Sequence, residues 1–130
     1  MPDTFSIVNK TSRSTLGRDV PFQKIKEAVL GKKYELSLAF ITPVAMRRVM
    51  KYKKRPEEKT SNILSFELSK TSGEIIICPA AAKPYSIGYL FIHGLCHLKG
   101  YKHSATMESI ELSFLHKFGL SIHEQTNSRH

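Results

Sequence analysis

Phe91-Ile92-His93-Gly94-Leu95-Cys96-His97-Leu98-Lys99-Gly100-Tyr101-Lys102-His103 is the stretch from which the rest of the chain can be read. His93 and His97 are four residues apart, and at about 3.6 residues per turn a helix sets both imidazoles on one side. Gly100 can adopt the left-handed backbone that ends helices. Beyond it His103 can swing back toward the pair. Three neutral imidazoles around one point, with a fourth position left to water, are the ligand set of a catalytic zinc site. At roughly 100° per residue, Ile87, Phe91, Leu95 and Leu98 share an apolar face, while His93 and His97 share another with Ser86 and Cys96. The expected element is a central helix seated in a core by one face and presenting nitrogens with the other. A histidine pair four apart also arises on solvated or buried helices; the Gly and the third His at fixed offsets favour the metal.

The spacing is also that of the metzincin proteases, H-E-x-x-H-x-x-G-x-x-H. Their Glu activates water, and here its position is Gly94. Peptide hydrolysis by that route loses its base, whereas the metal cage survives. Cys96, next to His97, reads either as a further ligand that closes the site or as a small buried hydrophobe.

Upstream, Phe5-Ser6-Ile7-Val8 alternates as a short strand. Residues 9–18 form a polar loop, and Asp19 is a candidate N-cap for a helix carrying Phe22, Ile25, Val29 and Leu30 up to Gly31. Residues 34–41 alternate as a second strand. Thr42-Pro43 opens a helix through Tyr52, followed by a charged loop, 53–61. Ile63–Leu68 and Glu74–Cys78 read as a hairpin joined by a turn over 69–73 that places Gly73 near its end. Pro84 opens the histidine helix. A last helix after Ser104 carries Ile110, Leu112, Phe114, Leu115 and Phe118 and stops at Gly119. The order β-α-β-α-β-β-α-α implies an α+β fold: a small mixed four-stranded sheet packed with helices, with the metal site on a central helix. One domain is expected over residues 1–120, with a polar C-terminal tail at 121–130.

With 130 residues the chain can bury a core but is short for two domains. No apolar run reaches the roughly 18 residues of a membrane span. Met1-Pro2-Asp3-Thr4 lacks the basic-then-apolar pattern of an export signal. Two cysteines, Cys78 and Cys96, make no disulfide framework, so reduced thiols and a cytoplasmic setting are expected. The net charge is +9, and much of it stands between Pro43 and Lys59. There Arg47, Arg48, Lys51, Lys53, Lys54, Arg55 and Lys59 face only Glu57 and Glu58. Such a cluster suits a polyanion through phosphate contacts; a solvated helix face is the other reading. Beside a metal site it favours nucleic acid, with Arg47, Arg48, Lys51, Lys53, Lys54 and Lys59 as the binding candidates.

His93-Gly94-Leu95-Cys96-His97-Leu98-Lys99-Gly100-Tyr101-Lys102-His103 also resembles H-G-x-x-H-L-x-G-Y-D-H, a signature of the YbeY endoribonucleases, which are ribosomal-RNA maturation factors. Thr60-Ser61-Asn62-Ile63-Leu64-Ser65-Phe66 resembles that family's P-T-[DN]-V-L-S-F, and Gly73-Glu74-Ile75-Ile76-Ile77-Cys78 its G-D-I-V-I-C. The departures are Glu74 for Asp, Lys102 for the Asp before the third His, no Pro before Ser61, and a short connection from Cys78 to His93. The resemblance implies a small mixed sheet with one zinc per chain on His93, His97 and His103. It implies a single-strand-specific endoribonuclease acting on ribosomal RNA or the small ribosomal subunit. The alternative is a metal-stabilised RNA- or ribosome-binding protein with weak or lost catalysis. The family's catalytic Arg precedes its second block, which makes Arg55 the candidate here, with Lys53 and Lys54 behind it; a solvated loop charge is its other reading. Asn62 and Ser65 read either as orienting groups or as turn and strand-start residues. Lys102 cannot accept a hydrogen bond from imidazole, so a backbone carbonyl or another acceptor has to support the ligands, or the metal is held more weakly. Glu108 and Glu111 are the nearest downstream acids and read as helix surface.

Overall fold

Ile75 and Ile77 are fully buried on one side of the last strand, while Ile76 and Cys78 are buried on the other. Side chains alternate across a strand, so this strand has a core on both faces. The computed structural model describes residues 4–53 and 60–124; Lys54, Arg55 and Lys59 lie outside them. Its strands are β1 (Phe5–Asn9), β2 (Glu35–Phe40), β3 (Ile63–Ser69) and β4 (Ser72–Ile77), and its helices are α1 (Phe22–Leu30), α2 (Pro43–Tyr52), α3 (Ile87–Lys99) and α4 (Ala105–Lys117). A single 3-10 turn, Pro79–Ala81, follows β4. The sheet order is β1-β2-β4-β3, with β1, β2 and β4 parallel and β3 antiparallel to β4. This is the mixed four-stranded α+β fold expected from the sequence. No described helix is long and apolar enough to cross a membrane.

The helices divide between the faces. Ile25 and Val29 of α1, Leu90, Phe91, Ile92, Leu95 and Cys96 of α3, and Met107 and Leu115 of α4 share a core with Leu36, Leu38 and Phe40 of β2. Met46 and Met50 of α2 pack on the other face against Ile41, Leu64, Ile76 and Cys78. Gly94 lets α3 lie close to the sheet: a Cβ there would stand 3.0 Å from both Ile63 and Ile75. That is a structural reason for the smallest residue where a metzincin carries Glu.

Three local expectations change. The N-cap of α1 is Pro21, with no side-chain hydrogen bond, not Asp19; a turn over 17–20 separates Asp19 from the helix. Gly73 lies inside β4 rather than in the turn, where it pairs with Leu36 of β2 and leaves room for the Tyr34 hydroxyl and Leu98 where a side chain would be. The polar stretch from Ser121 begins with pairing to the loop before α3. Ser86 N donates to Ile122 O at 2.8 Å, Glu124 N to Pro84 O at 2.8 Å, and Tyr85 bridges to His123.

Candidate metal centre

Local chemistry places the histidines. Ser86 caps α3 by accepting from Tyr89 N at 3.0 Å. After the 13 residues of α3 the chain leaves through Gly100, whose φ of 111° is left-handed, a conformation available to Gly at little cost. Ser104 then starts α4 by accepting from Met107 N at 3.1 Å. His103 therefore sits in the short connection between two capped helices, facing back over the end of α3.

The three side chains meet as the spacing predicts. His97 Nε2 lies 3.2 Å from His93 Nε2 and 2.7 Å from His103 Nε2. One ligand atom from each of the three lies within 4.8 Å of the others, and together they could hold a metal ion. The outer nitrogens explain the orientation. His93 Nδ1 donates to Glu111 Oε2 at 2.6 Å, and His97 Nδ1 to the Tyr101 carbonyl at 3.2 Å. These acceptors assign the ring proton to Nδ1 and leave the Nε2 lone pair for a metal, the usual arrangement of a ligating imidazole. The donor set thus fits an imidazole-binding divalent ion such as zinc. Burial, and after it the neighbouring His93 and His103, lower the His97 pKa below the ordinary imidazole value. Its lone pair therefore remains available further toward acid pH.

Glu111 is the residue that sequence reasoning missed. It is 4% exposed, not helix surface, and it occupies the buried stripe of α4 between Met107 and Leu115. The signal was present as an acid four residues from each of two apolar core positions. Such an acid needs a partner when buried. Lys102, the departure before His103, is exposed, and the Tyr101 carbonyl is the backbone acceptor that the sequence reading allowed for.

Cys96 is fully buried in the core with Phe91, Ile92 and Leu95, away from the face on which the helical projection put it. Burial pushes its thiol pKa up to about 12. It behaves as a small hydrophobe and is outside the three-histidine cluster.

Two grooves meet at the histidines and share Ile63, His93 and His103. One, of about 300 Å³, holds Asn62, Tyr85, Tyr89 and Glu108. The other, of about 550 Å³, holds Ser61, Ser65, Glu67 and His97. Asn62 and Ser65 thus fall on opposite sides of the cluster. Arg47, Arg48 and Lys51 are exposed on α2 and line neither groove. Arg47 donates to Thr60 Oγ1 at 2.9 Å. Lys53 lies over the Phe66 ring at 4.8 Å. Tyr89, 5.7 Å from the His93 ring, has its phenol pKa raised to about 12, by burial first and then by Glu111.

Fold and site together define a small α+β protein with a three-histidine centre able to hold a metal ion. A family model described as Endoribonuclease YbeY matches residues 6–121, and the chain belongs to this family. It is 28% identical over 106 residues to the Endoribonuclease YbeY of Mycoplasmopsis synoviae, spanning 66% of this chain and 68% of that protein. It is 27% identical over 135 aligned positions to the Endoribonuclease YbeY of Francisella philomiragia, spanning 78% and 85%. The solution structure of TM1509 from Thermotoga maritima shares the fold, with a TM-score of 0.57 at 18% identity over 88% of each chain.

Proposed function

We propose that this chain is a zinc-dependent endoribonuclease, specific for single strands, that acts in ribosomal-RNA maturation in the cytoplasm. The observation that carries the reading is the convergence of three Nε2 atoms, with the outer nitrogens of His93 and His97 held by Glu111 and the Tyr101 carbonyl. Membership of a family described as endoribonucleases supports RNA as the substrate. His93, His97 and His103 would hold one zinc per chain. When bound, it supplies a Lewis acid that polarises a phosphoryl oxygen and acidifies water toward a pKa of about 7.

The chain's own residues do the rest. Glu111 fixes the His93 ring and, as a carboxylate, raises its basicity as a ligand. Gly94 contributes no base, so proton removal from the attacking water does not follow the metzincin route. Arg55 is the cation proposed to offset charge developing on phosphorus. Arg47, Arg48 and Lys51 on α2, with Lys53, Lys54 and Lys59, are proposed to track the phosphate backbone of ribosomal RNA or the small ribosomal subunit.

A second reading is a metal-stabilised RNA- or ribosome-binding protein with weak or lost catalysis. It is favoured by one observation: the exposed cations of α2 lie outside both grooves at the histidines. Metal content of wild type and His97→Ala, with both assayed on a structured ribosomal-RNA fragment, separates the two. One zinc, lost together with cleavage in the variant, is the result expected of the nuclease. Zinc without cleavage by either protein supports the binding module. A metal-free wild type overturns both.

A further inference from the structure

The smaller groove has a composition that sets it apart from a path for phosphates. Tyr85 and Tyr89 form one wall, with ring centroids 5.3 Å apart and planes inclined by 29°. The ring series continues inward to His93, so the wall ends at the histidine cluster. Leu90 and Met107 add apolar surface, while Asn62, Ser104 and Glu108 supply polar groups. No lysine or arginine among the described residues lines it, and Glu108 and Glu111 both do. Beyond the histidine cluster, where Glu111 is already paired with His93, a phosphate entering here would meet the exposed carboxylate of Glu108 and no lysine or arginine among the described residues. A nucleobase is uncharged, planar and rimmed with hydrogen-bonding groups. The volume of about 300 Å³ is at the low end of small-molecule pockets, enough for a base and too narrow for a duplex.

We propose that this groove is a base pocket. It receives the unpaired nucleobase adjoining the phosphate at the histidines, packs it against Tyr85 and Tyr89, and reads its exocyclic amine through Glu108. This rests on the reading of the site as one that takes RNA. Packing against aromatic rings requires a base withdrawn from its own stack and pair. The pocket therefore supplies a physical reason for acting on single strands. An ionised carboxylate only accepts hydrogen bonds, as when Glu or Asp accepts from cytosine N4. Adenine, cytosine and guanine offer an amino group; uracil has none. Glu108 is exposed at the mouth of the groove, where it can meet the edge of a seated base.

The test uses zinc-loaded full-length protein, with binding read by stopped flow before cleavage. Single-stranded RNAs carry 2-aminopurine at successive positions around the cleavage site. One position is expected to be quenched on binding. Tyr85→Ala should abolish that quenching and weaken binding by about fivefold or more, in line with base–aromatic stacking; Tyr85→Phe should retain it. Removing the base at the quenched position should erase the difference between wild type and Tyr85→Ala. Glu108→Ala, an exposed change that removes the acceptor and leaves the packing alone, should reduce the preference for amino-bearing bases over uracil several-fold. Thermal melts and zinc stoichiometry of each variant show whether the fold survives. If Tyr85→Ala does not fold, Glu108→Ala and the labelled series decide. Uniform quenching at all positions, or base preference unchanged in Glu108→Ala, overturns the pocket. Cleavage by wild type without position-specific quenching also overturns it and leaves the nuclease standing. Position-specific quenching without cleavage supports the pocket and removes the nuclease.

Discussion

On the α3 side of the sheet, three helices bury Ile25, Leu38, Phe91, Ile92 and Leu95 completely or nearly so. Phe91 packs edge-on to Phe22 at 5.0 Å and stacks on Phe5 at 6.0 Å. On the α2 side one helix covers a smaller core through Met46 and Met50, and its outer surface is Arg47, Arg48, Lys51 and an 82% exposed Tyr52. The histidines stand on the first face and the exposed cations of α2 on the second. Coordination needs rings held in one rotamer, which tight packing and buried acceptors provide. Phosphate binding by long cationic side chains needs reach and solvent access rather than a fixed angle. The proposed function asks those separate requirements of the two sides of one sheet.

The comparison breaks most severely at Phe91. Phe91→Ala should cost about 3–5 kcal/mol in stability and take metal binding with it, as read by denaturant melts and zinc titration. Glu111→Ala should lower zinc affinity by about 10–100-fold, because it removes the acceptor of the His93 proton; Glu111→Gln, which keeps a carbonyl acceptor, should lose less. Gly94→Ala should destabilise by about 1–3 kcal/mol through overpacking against Ile63 and Ile75, seen as a shifted urea midpoint with unchanged slope. On the other face, Arg48→Ala or Lys51→Ala should leave stability within about 0.5 kcal/mol and zinc content intact. Each should reduce the salt slope of single-stranded RNA binding by about 0.7. The smallest effect is on pH dependence. The folded His97 pKa lies below the unfolded value near 6.5, so the unfolded chain binds the proton more readily. In metal-stripped protein, the stability present above that value should fall as pH drops through the folded pKa, and His97→Gln should flatten the fall.

Much of the centre was legible along the chain because helical spacing and the Gly100 exit are local properties. His93, His97 and His103 lie within a stretch whose geometry one helix and one cap define. Glu111 was not legible in the same way. Its role depends on α4 packing beside α3, so that a residue eighteen positions from His93 becomes its partner. Cys96 shows the same dependence in the opposite sense. An idealised projection put it with the histidines, and the packing of α3 between α1 and α4 put it in the core. Lys26 is a third case: fully buried on α1, it donates to Thr4 Oγ1 and the Lys32 carbonyl, partners supplied by the chain entering β1 and leaving α1.

By itself the sequence determined the elements, their order and the three histidines that converge, since periodicity, caps and motif spacing act over a few residues. Only the tertiary structure decided which acid meets a histidine of the cluster, that Cys96 belongs to the core, and which groove is lined by carboxylates and tyrosines. Those outcomes depend on burial and on the meeting of side chains from separate helices, and neither is written in local spacing.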